Sequence, residues 1–98
     1  MKVYDHPDLA KVSLETVMHA LSDPCRVVIV RALLHRPELA CNELPVKVAK
    51  ATLSHHMDVL RAAGLIETRV VGAKCLSSVR RAAVDKHFPG VLTLVGRK

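Results

Sequence analysis

The chain has very few aromatic residues: among 98 residues there is no tryptophan, one tyrosine and one phenylalanine. Because 50% of the residues are nevertheless hydrophobic, a core is expected, and it must be built from aliphatic side chains. A chain of this length forms one domain, so we expect residues 1–98 to fold as a single unit. A domain this small buries a modest fraction of its surface, and association into a dimer would stabilise it.

Cysteine and long hydrophobic runs are also scarce. The three cysteines, Cys25, Cys41 and Cys75, are odd in number and widely spaced, which argues against a disulfide framework. No apolar run approaches the roughly 18 residues of a transmembrane helix, and the N-terminus lacks a signal-peptide core. We therefore expect a cytosolic protein without membrane contact and with mostly reduced thiols. Glycine-rich phosphate loops and nucleophile elbows are missing too, so we expect neither catalysis nor a cofactor.

Capping residues and apolar periodicity predict two helices in the first third of the chain. Ser13 can cap a helix over residues 13–22, after a polar, flexible lead-in over residues 1–12. Asp23 can cap a second helix over residues 24–36, with Pro24 at its first position, where the missing N–H costs nothing. A short third helix is expected to begin at residues 42–44, and Pro45 should truncate it.

Residues 50–63 have the period of an amphipathic helix, and Gly64 suits the left-handed position that ends one. The side expected to face the core consists of Leu53, His56, Met57, Leu60 and Ala63. The other side carries hydrogen-bonding groups on small side chains near the helix start, which a helix entering a DNA major groove needs. An ordinary surface helix rich in small residues would show the same pattern.

After Gly64 the pattern changes to period two, which predicts a β-hairpin over residues 66–79 with its turn at Gly72. A helix over residues 80–87 and a short apolar tail follow. This order predicts a mainly α fold with a small β-hairpin: a winged helix-turn-helix with about five helices and a two-stranded wing. The formal net charge is +6, and residues 50–81 contain six basic and two acidic residues. This concentration favours a polyanionic partner.

Three stretches of sequence resemble the ArsR/SmtB family of bacterial repressors: ALSDPCR at residues 20–26, TLSHHMDVL at residues 52–60 and AGLI at residues 63–66. The resemblance covers roughly residues 15–80. It implies a regulator that represses transcription as a homodimer, binding a double-stranded, inverted-repeat operator through the helix 50–63 and the wing 66–79. The residues expected to contact DNA are Lys50, Thr52, Ser54, His55, Arg69, Lys74 and Arg80.

The resemblance also implies a dimer interface formed by the first and last helices. We therefore expect residues 80–98 to be a dimerisation segment that pairs with an apolar stripe on the first helix. The predicted interface residues are Leu14, Val17, Met18, Leu21, Phe88, Val91, Leu92 and Leu94. The chain is too small to bury all of these side chains alone, which is a further reason to expect self-association.

The metal sites of the family are incomplete in this chain. Ala40 and Asn42 occupy the positions of a cysteine pair, and Asp85 and His87 supply half of a second site, so we expect no bound metal. A thiol-responsive switch at Cys25, Cys41 or Cys75 remains an alternative, because a helix N-terminus near a thiol lowers its pKa. A metal-responsive repressor with a novel site, and a winged-helix protein-interaction module that does not bind DNA, also remain open. The sequence does not identify the effector.

Overall fold

The computed structural model describes residues 4–97, so residues 1–3 of the expected lead-in and residue 98 of the expected dimerisation segment lie outside the described residues. The helices are α1 (Leu14–Ala20), α2 (Pro24–His35), α3 (Lys50–Ala62), α4 (Arg81–His87) and α5 (Val91–Gly96). The strands are β1 (Leu39–Ala40), β2 (Ile66–Val71) and β3 (Lys74–Val79), and single 3₁₀ turns cover Leu9–Lys11 and Cys41–Glu43.

The first two helices begin at the residues that the sequence predicts. Ser13 Oγ accepts a hydrogen bond from the backbone N–H of Thr16 at 3.2 Å and caps α1. Asp23 Oδ1 accepts hydrogen bonds from the backbone N–H groups of Cys25 and Arg26, at 2.8 and 3.2 Å, and Pro24 occupies the first turn of α2. Both capping predictions are confirmed. Helix α1 ends at Ala20 and is therefore shorter than the expected range of 13–22.

The short third helix is reduced to a single turn, in line with the truncation expected from Pro45. Residues Cys41–Glu43 form only one 3₁₀ turn, and Leu44 is already extended, with φ −71° and ψ 136°. Pro45 accounts for this, because its ring disfavours a helical conformation of the preceding residue. The two residues before the turn form β1, which pairs antiparallel with β3. A strand of two residues is too short to show an alternating pattern, so the sequence does not reveal it.

The sheet has the strand order β1-β3-β2, and all its pairs are antiparallel. In the hairpin, Ile66 lies opposite Val79 and Val71 lies opposite Lys74, with Gly72 in the turn at φ +61°. The predicted fold class is confirmed: five α-helices accompany a β-hairpin wing, and β1 is a third strand beyond the two expected.

The core is aliphatic, as the composition requires, and α2 lies at its centre. The fully buried side chains of the core include Ile29, Leu33, Leu60, Leu65 and Ile66. The inner side of α3 also matches the periodicity: His56, Met57, Leu60 and Ala63 are buried and Leu53 is half-buried. None of the helices within residues 4–97 combines the length and the apolar character needed to cross a bilayer.

The described part of the lead-in packs against the wing instead of extending into solvent. The side chain of Leu9 is buried, and His6 Nε2 accepts a hydrogen bond from the backbone N–H of Thr68 at 3.0 Å. The carbonyl oxygen of Pro7 accepts a hydrogen bond from Arg80 Nη1 at 2.8 Å. The sequence offered little sign of this, because a single leucine in a polar segment shows no periodicity.

Gly64 and Gly72 permit a matched test of this packing, since both have positive φ values, +77° and +61°. A Cβ atom at Gly64 would lie 2.5 Å from Leu9 Cδ2 and 2.9 Å from Leu9 Cγ, whereas a Cβ atom at Gly72 meets nothing within 4 Å. We expect Gly72→Ala to lower the free energy of unfolding by about 1 kcal/mol, which is the backbone cost alone. Gly64→Ala adds steric overlap and should cost about 2–3 kcal/mol. Equal losses in urea denaturation would contradict close packing of Leu9.

Candidate nucleic-acid interface

The outer side of α3 is open to solvent along its first two turns. Lys50, Thr52, Ser54 and His55 are all exposed, and none of them forms a hydrogen bond or ion pair within residues 4–97. Ala49, which precedes the helix, supplies no side-chain cap, so the N–H groups of the first turn remain available to an external acceptor. This surface therefore presents short polar side chains and unpaired backbone donors together.

A cleft of about 480 Å³ separates α3 from the wing. Lys50 and Ser54 line it from α3, and Lys74 lines it from the start of β3. Cys41 and Cys75 also line the cleft, which thus extends to the junction between β1 and β3. The structure brings three of the predicted DNA-contacting residues to this one cleft, whereas Arg69 and Arg80 lie elsewhere.

Arg69 lies on the opposite face of the wing from α3. Along β2, Ile66 and Thr68 are buried, whereas Glu67 and Arg69 alternate with them on the exposed face. The guanidinium group of Arg69 donates hydrogen bonds to both carboxylate oxygens of Glu38, at 2.6 and 2.7 Å. This contact lowers the pKa of Glu38 and raises that of Arg69. Arg69, which the sequence predicts to contact DNA, is therefore ion-paired within the chain.

The other three arginines between residues 50 and 81 are also engaged within the chain. Arg80 donates to the carbonyl oxygen of Pro7, and Arg81 donates to the carbonyl oxygen of Leu34. Arg61 is buried and contacts Asp58 and Thr68. Of the six basic residues in this region, only Lys50 and Lys74 have side chains that form no hydrogen bond or ion pair within the described chain.

Arg61 fixes the position of α3 relative to the wing. Its Nη1 donates to Thr68 Oγ1 at 3.0 Å, and that hydroxyl group lies 2.8 Å from Ser77 Oγ on β3. The ring of Tyr4 covers the guanidinium group, with 4.3 Å between Arg61 Cζ and the ring centroid. In the sequence, Arg61 is one of the six basic residues between positions 50 and 81. Its position one turn after Met57, on the inner side of the helix, was the available signal.

A second buried arginine joins α1, α2 and α3. Arg26 Nε donates to the carbonyl oxygen of Ala20 at 2.7 Å, and Arg26 Nη1 donates to His56 Nδ1 at 3.0 Å. Because Nδ1 accepts this bond, the neutral imidazole of His56 carries its proton on Nε2. The sequence predicts His56 as a packing residue, and its burial confirms this. It does not reveal the role of Arg26, whose partner lies 30 residues away.

Asp23, Cys25 and His56 form the only group of three metal-binding side chains within residues 4–97, with ligand atoms within 4.8 Å of one another. The group does not suit a metal ion. The lone pair of His56 Nδ1 accepts a hydrogen bond from Arg26, and His56 Nε2 carries a proton, so neither ring nitrogen has a lone pair for a metal ion. The nearby guanidinium charge also repels a cation. Asp23 Oδ1 is also committed to capping α2.

Cys25 lacks the lowered thiol pKa that a position at a helix N-terminus would give by itself. Burial raises the pKa of the Cys25 thiol above its usual value, and the Asp23 carboxylate raises it further. This carboxylate already compensates the partial positive charge of the helix start. Burial also raises the pKa of Cys41, and the neighbouring Cys75 adds to that shift. The two remaining cysteines are therefore close enough to interact electrostatically.

The predicted dimer interface divides into buried and exposed residues. Val17, Val91 and Leu92 belong to the core of the single chain, so they cannot present a surface to a second copy, and Leu21 and Phe88 are partly buried against that core. The apolar tail is buried because it forms α5, which packs on α2, and Arg31 Nε donates to the carbonyl oxygen of Val95 at 2.9 Å. Leu14, Met18 and Leu94 are exposed, at 51%, 45% and 65%.

Comparison with known proteins agrees with this fold. A family profile described as a helix-turn-helix domain matches residues 21–69, half of the chain. The transcriptional repressor BigR from Xylella fastidiosa is 26% identical, with a TM-score of 0.63 over 76% of this chain and 85% of BigR. No curated protein matches the chain in sequence at a significant level.

Two further solved structures are under 25% identical and therefore bear on the fold alone. NolR from Sinorhizobium fredii is 24% identical, with a TM-score of 0.67 over 100% of both chains. An ArsR family transcriptional regulator is 23% identical, with a TM-score of 0.66 over 87% of this chain and 98% of its own. The profile match, the wing and the exposed polar face of α3 lead to one conclusion: the chain belongs to the helix-turn-helix domain family, as a transcriptional regulator with a winged helix-turn-helix fold.

Proposed function

We propose that this regulator acts as a homodimeric repressor, binding an inverted-repeat DNA operator through α3 and the wing. The observation that carries the proposal is the placement of Lys50 and Lys74. They are the two basic residues of this region whose side chains have no partner inside the described chain, and they line the same cleft from opposite sides. The phosphate backbone of DNA can supply the negatively charged partners that these two lysines lack within the chain.

The proposed roles follow from position along α3 and the wing. Ser54 and His55 are one turn into the helix on its exposed side, where short side chains can reach base edges. Lys50 and Thr52, with the uncapped N–H groups of the first turn, suit phosphates or outer bases. Lys74 supplies the main phosphate contact of the wing. Arg69 and Arg80 remain secondary candidates, because each must first leave an internal partner.

The dimer is proposed on the exposed apolar side chains of the first and last helices. Leu14 and Met18 on α1 and Leu94 on α5 are large hydrophobic residues that the single chain leaves in water. Pairing two chains through α1 and the segment from residue 80 onward would bury them and gain hydrophobic free energy. Two recognition helices placed about 34 Å apart would read successive major grooves, hence an imperfect inverted repeat.

The test begins with selection of bound duplexes from a random library, followed by titrations at several salt concentrations. We expect Lys74→Ala to weaken binding to every sequence and to flatten the dependence of log K on log salt by about one unit. Ser54→Ala should relax the sequence preference and leave the slope unchanged, because a base contact releases no counterion. Arg69→Ala should change the slope less than Lys74→Ala does, since Glu38 already compensates its charge.

The matched control is Lys86→Ala, which removes an exposed lysine on α4 and should leave both affinity and slope unchanged. Failure to select any duplex would contradict the proposal and favour a winged-helix module that binds protein. A change in sequence preference without a change in slope for Lys74→Ala would contradict the role given to the wing.

A further inference from the structure

Cys41 follows the last residue of β1, and Cys75 lies in β3, the strand that pairs with β1. In the β1–β3 ladder, Leu39 lies opposite Ser77 and Ala40 lies opposite Leu76. Antiparallel order makes Cys41 and Cys75 the next two residues in this register, and both line the cleft between α3 and the wing. Facing residues of an antiparallel pair have Cα atoms roughly 4.5–5.5 Å apart, which is a separation that a disulfide spans.

In the reduced protein, a series of contacts connects Cys75 to α3. Cys75 Sγ lies 3.5 Å from the hydroxyl oxygen of Tyr4, and the ring of Tyr4 packs on the guanidinium group of Arg61. Arg61 is the residue of α3 that donates to Thr68 on the wing. A change in the direction of Cys75 Sγ therefore disturbs the group that holds α3 against β2.

We propose that Cys41 and Cys75 form a reversible disulfide when the protein meets a peroxide, and that closure of this bond lowers affinity for DNA. The second half of this inference rests on the proposed DNA binding, whereas the first half does not. Cys25 takes no part, because it lies at the start of α2, half-buried and outside the cleft. The pair differs from the cysteine pair of the family's metal sites, since Cys41 stands between those two ligand positions.

The chemistry balances with peroxide as the oxidant. One thiolate attacks a peroxide oxygen and forms a sulfenic acid, and the other oxygen leaves as hydroxide, which becomes water. The second thiolate then attacks the sulfenic sulfur, the S–S bond forms, and a second water leaves. Two thiols together lose two electrons and two protons, and one hydrogen peroxide becomes two waters. Because the pKa of Cys41 is raised, the reaction should accelerate as pH increases.

The expected loss of affinity follows from the contact that the bond removes. A bond to Cys41 removes the thiol hydrogen of Cys75, so this sulfur can no longer donate to the Tyr4 hydroxyl group, and one support of the ring over Arg61 is weakened. The bond also ties the first residue of the Cys41–Glu43 turn to β3, one residue from Lys74. We expect operator affinity to fall roughly tenfold and to recover fully upon reduction.

The experiment compares the full-length wild type with Cys41→Ser, Cys75→Ser and the matched control Cys25→Ser. Each is treated with dilute hydrogen peroxide, and the intact mass, the free thiols and the affinity for a selected duplex are measured. The wild type and Cys25→Ser should each lose the mass of two hydrogen atoms, and peptide mapping should join Cys41 to Cys75. The other two variants should keep their affinity for DNA in peroxide.

The outcomes separate the two halves of the proposal. Free thiols at both positions after peroxide, or a bond that includes Cys25, would overturn the disulfide. Peptide mapping of the wild type decides this even if a variant does not fold. A disulfide with unchanged DNA affinity would overturn the regulatory half. Absence of DNA binding by the reduced protein would refute the proposed function and that regulatory half together, while the mass measurement still decides whether the bond forms.

Discussion

Replacing Arg26 with methionine is expected to lower the free energy of unfolding by about 3 kcal/mol. Methionine retains much of the buried aliphatic stem but donates no hydrogen bond. The carbonyl oxygen of Ala20 and the Nδ1 atom of His56 would then lose their donor in a buried environment. A buried acceptor without a partner destabilises the fold by more free energy than a hydrogen bond contributes in net terms. The loss of stability should therefore exceed that of an ordinary surface substitution.

Urea denaturation monitored by circular dichroism measures this effect, and Arg36→Met is the matched control. Arg36 is exposed at the end of α2, and its side chain contacts no partner within residues 4–97, so its replacement should change stability by less than about 0.5 kcal/mol. A loss below about 1 kcal/mol for Arg26→Met would show that the buried hydrogen bonds contribute little. We also expect DNA affinity to decrease, because His56 lies on the recognition helix.

Replacing Leu94 with aspartate is expected to convert the proposed homodimer to monomer and to lower operator affinity by roughly 100-fold. The side chain is 65% exposed in the single chain, so the substitution costs the folded monomer little. Burial of a carboxylate in an apolar interface is unfavourable unless a partner compensates its charge. Each monomer would then bind one half-site, without the effective concentration that a linked second site supplies.

Sedimentation measures the oligomeric state. Val48→Asp is the control, because it introduces the same negative charge at another exposed hydrophobic residue. Val48 is 40% exposed and lies in the loop before α3, outside both proposed interface helices, so its replacement should leave a dimer. A Leu94→Asp protein that remains dimeric would remove α5 from the interface. Truncation after His87 is a weaker test, because it also removes Val91, Leu92 and Val95 from the core.

Local signals account for the parts of the fold that the sequence predicted. Ser13 and Asp23 cap helices through backbone groups two or three residues away, and Gly64 takes the positive φ that ends α3. The apolar period of α3 specifies its buried and exposed sides for the same reason, since a regular helix repeats every 3.6 residues. The outer face with Ser54 and His55 was therefore predictable before the structure was known. The 3₁₀ turn at Cys41 was less so, because Pro45 only limits how a helix ends.

Which charges remain available for DNA is a property of the tertiary structure. Lys50, Lys74 and Arg69 are equivalent basic residues in the sequence, yet Glu38 pairs with Arg69 across 31 positions. Pro7 similarly engages Arg80 across 73 positions. The apolar residues of α1 and α5 are also equivalent in the sequence. Packing distinguishes them: on α1, Val17 is buried whereas Met18 is exposed to solvent.

The sequence by itself determined the helices, the hairpin turn and the polar face of α3, because each depends on residues within a few positions of one another. The tertiary structure decided that Arg26 holds His56, that Lys50 and Lys74 line one cleft, and that Cys41 and Cys75 line the same cleft. These arrangements join residues at least 24 positions apart, so they arise only when the packed core and the strand register bring distant segments together.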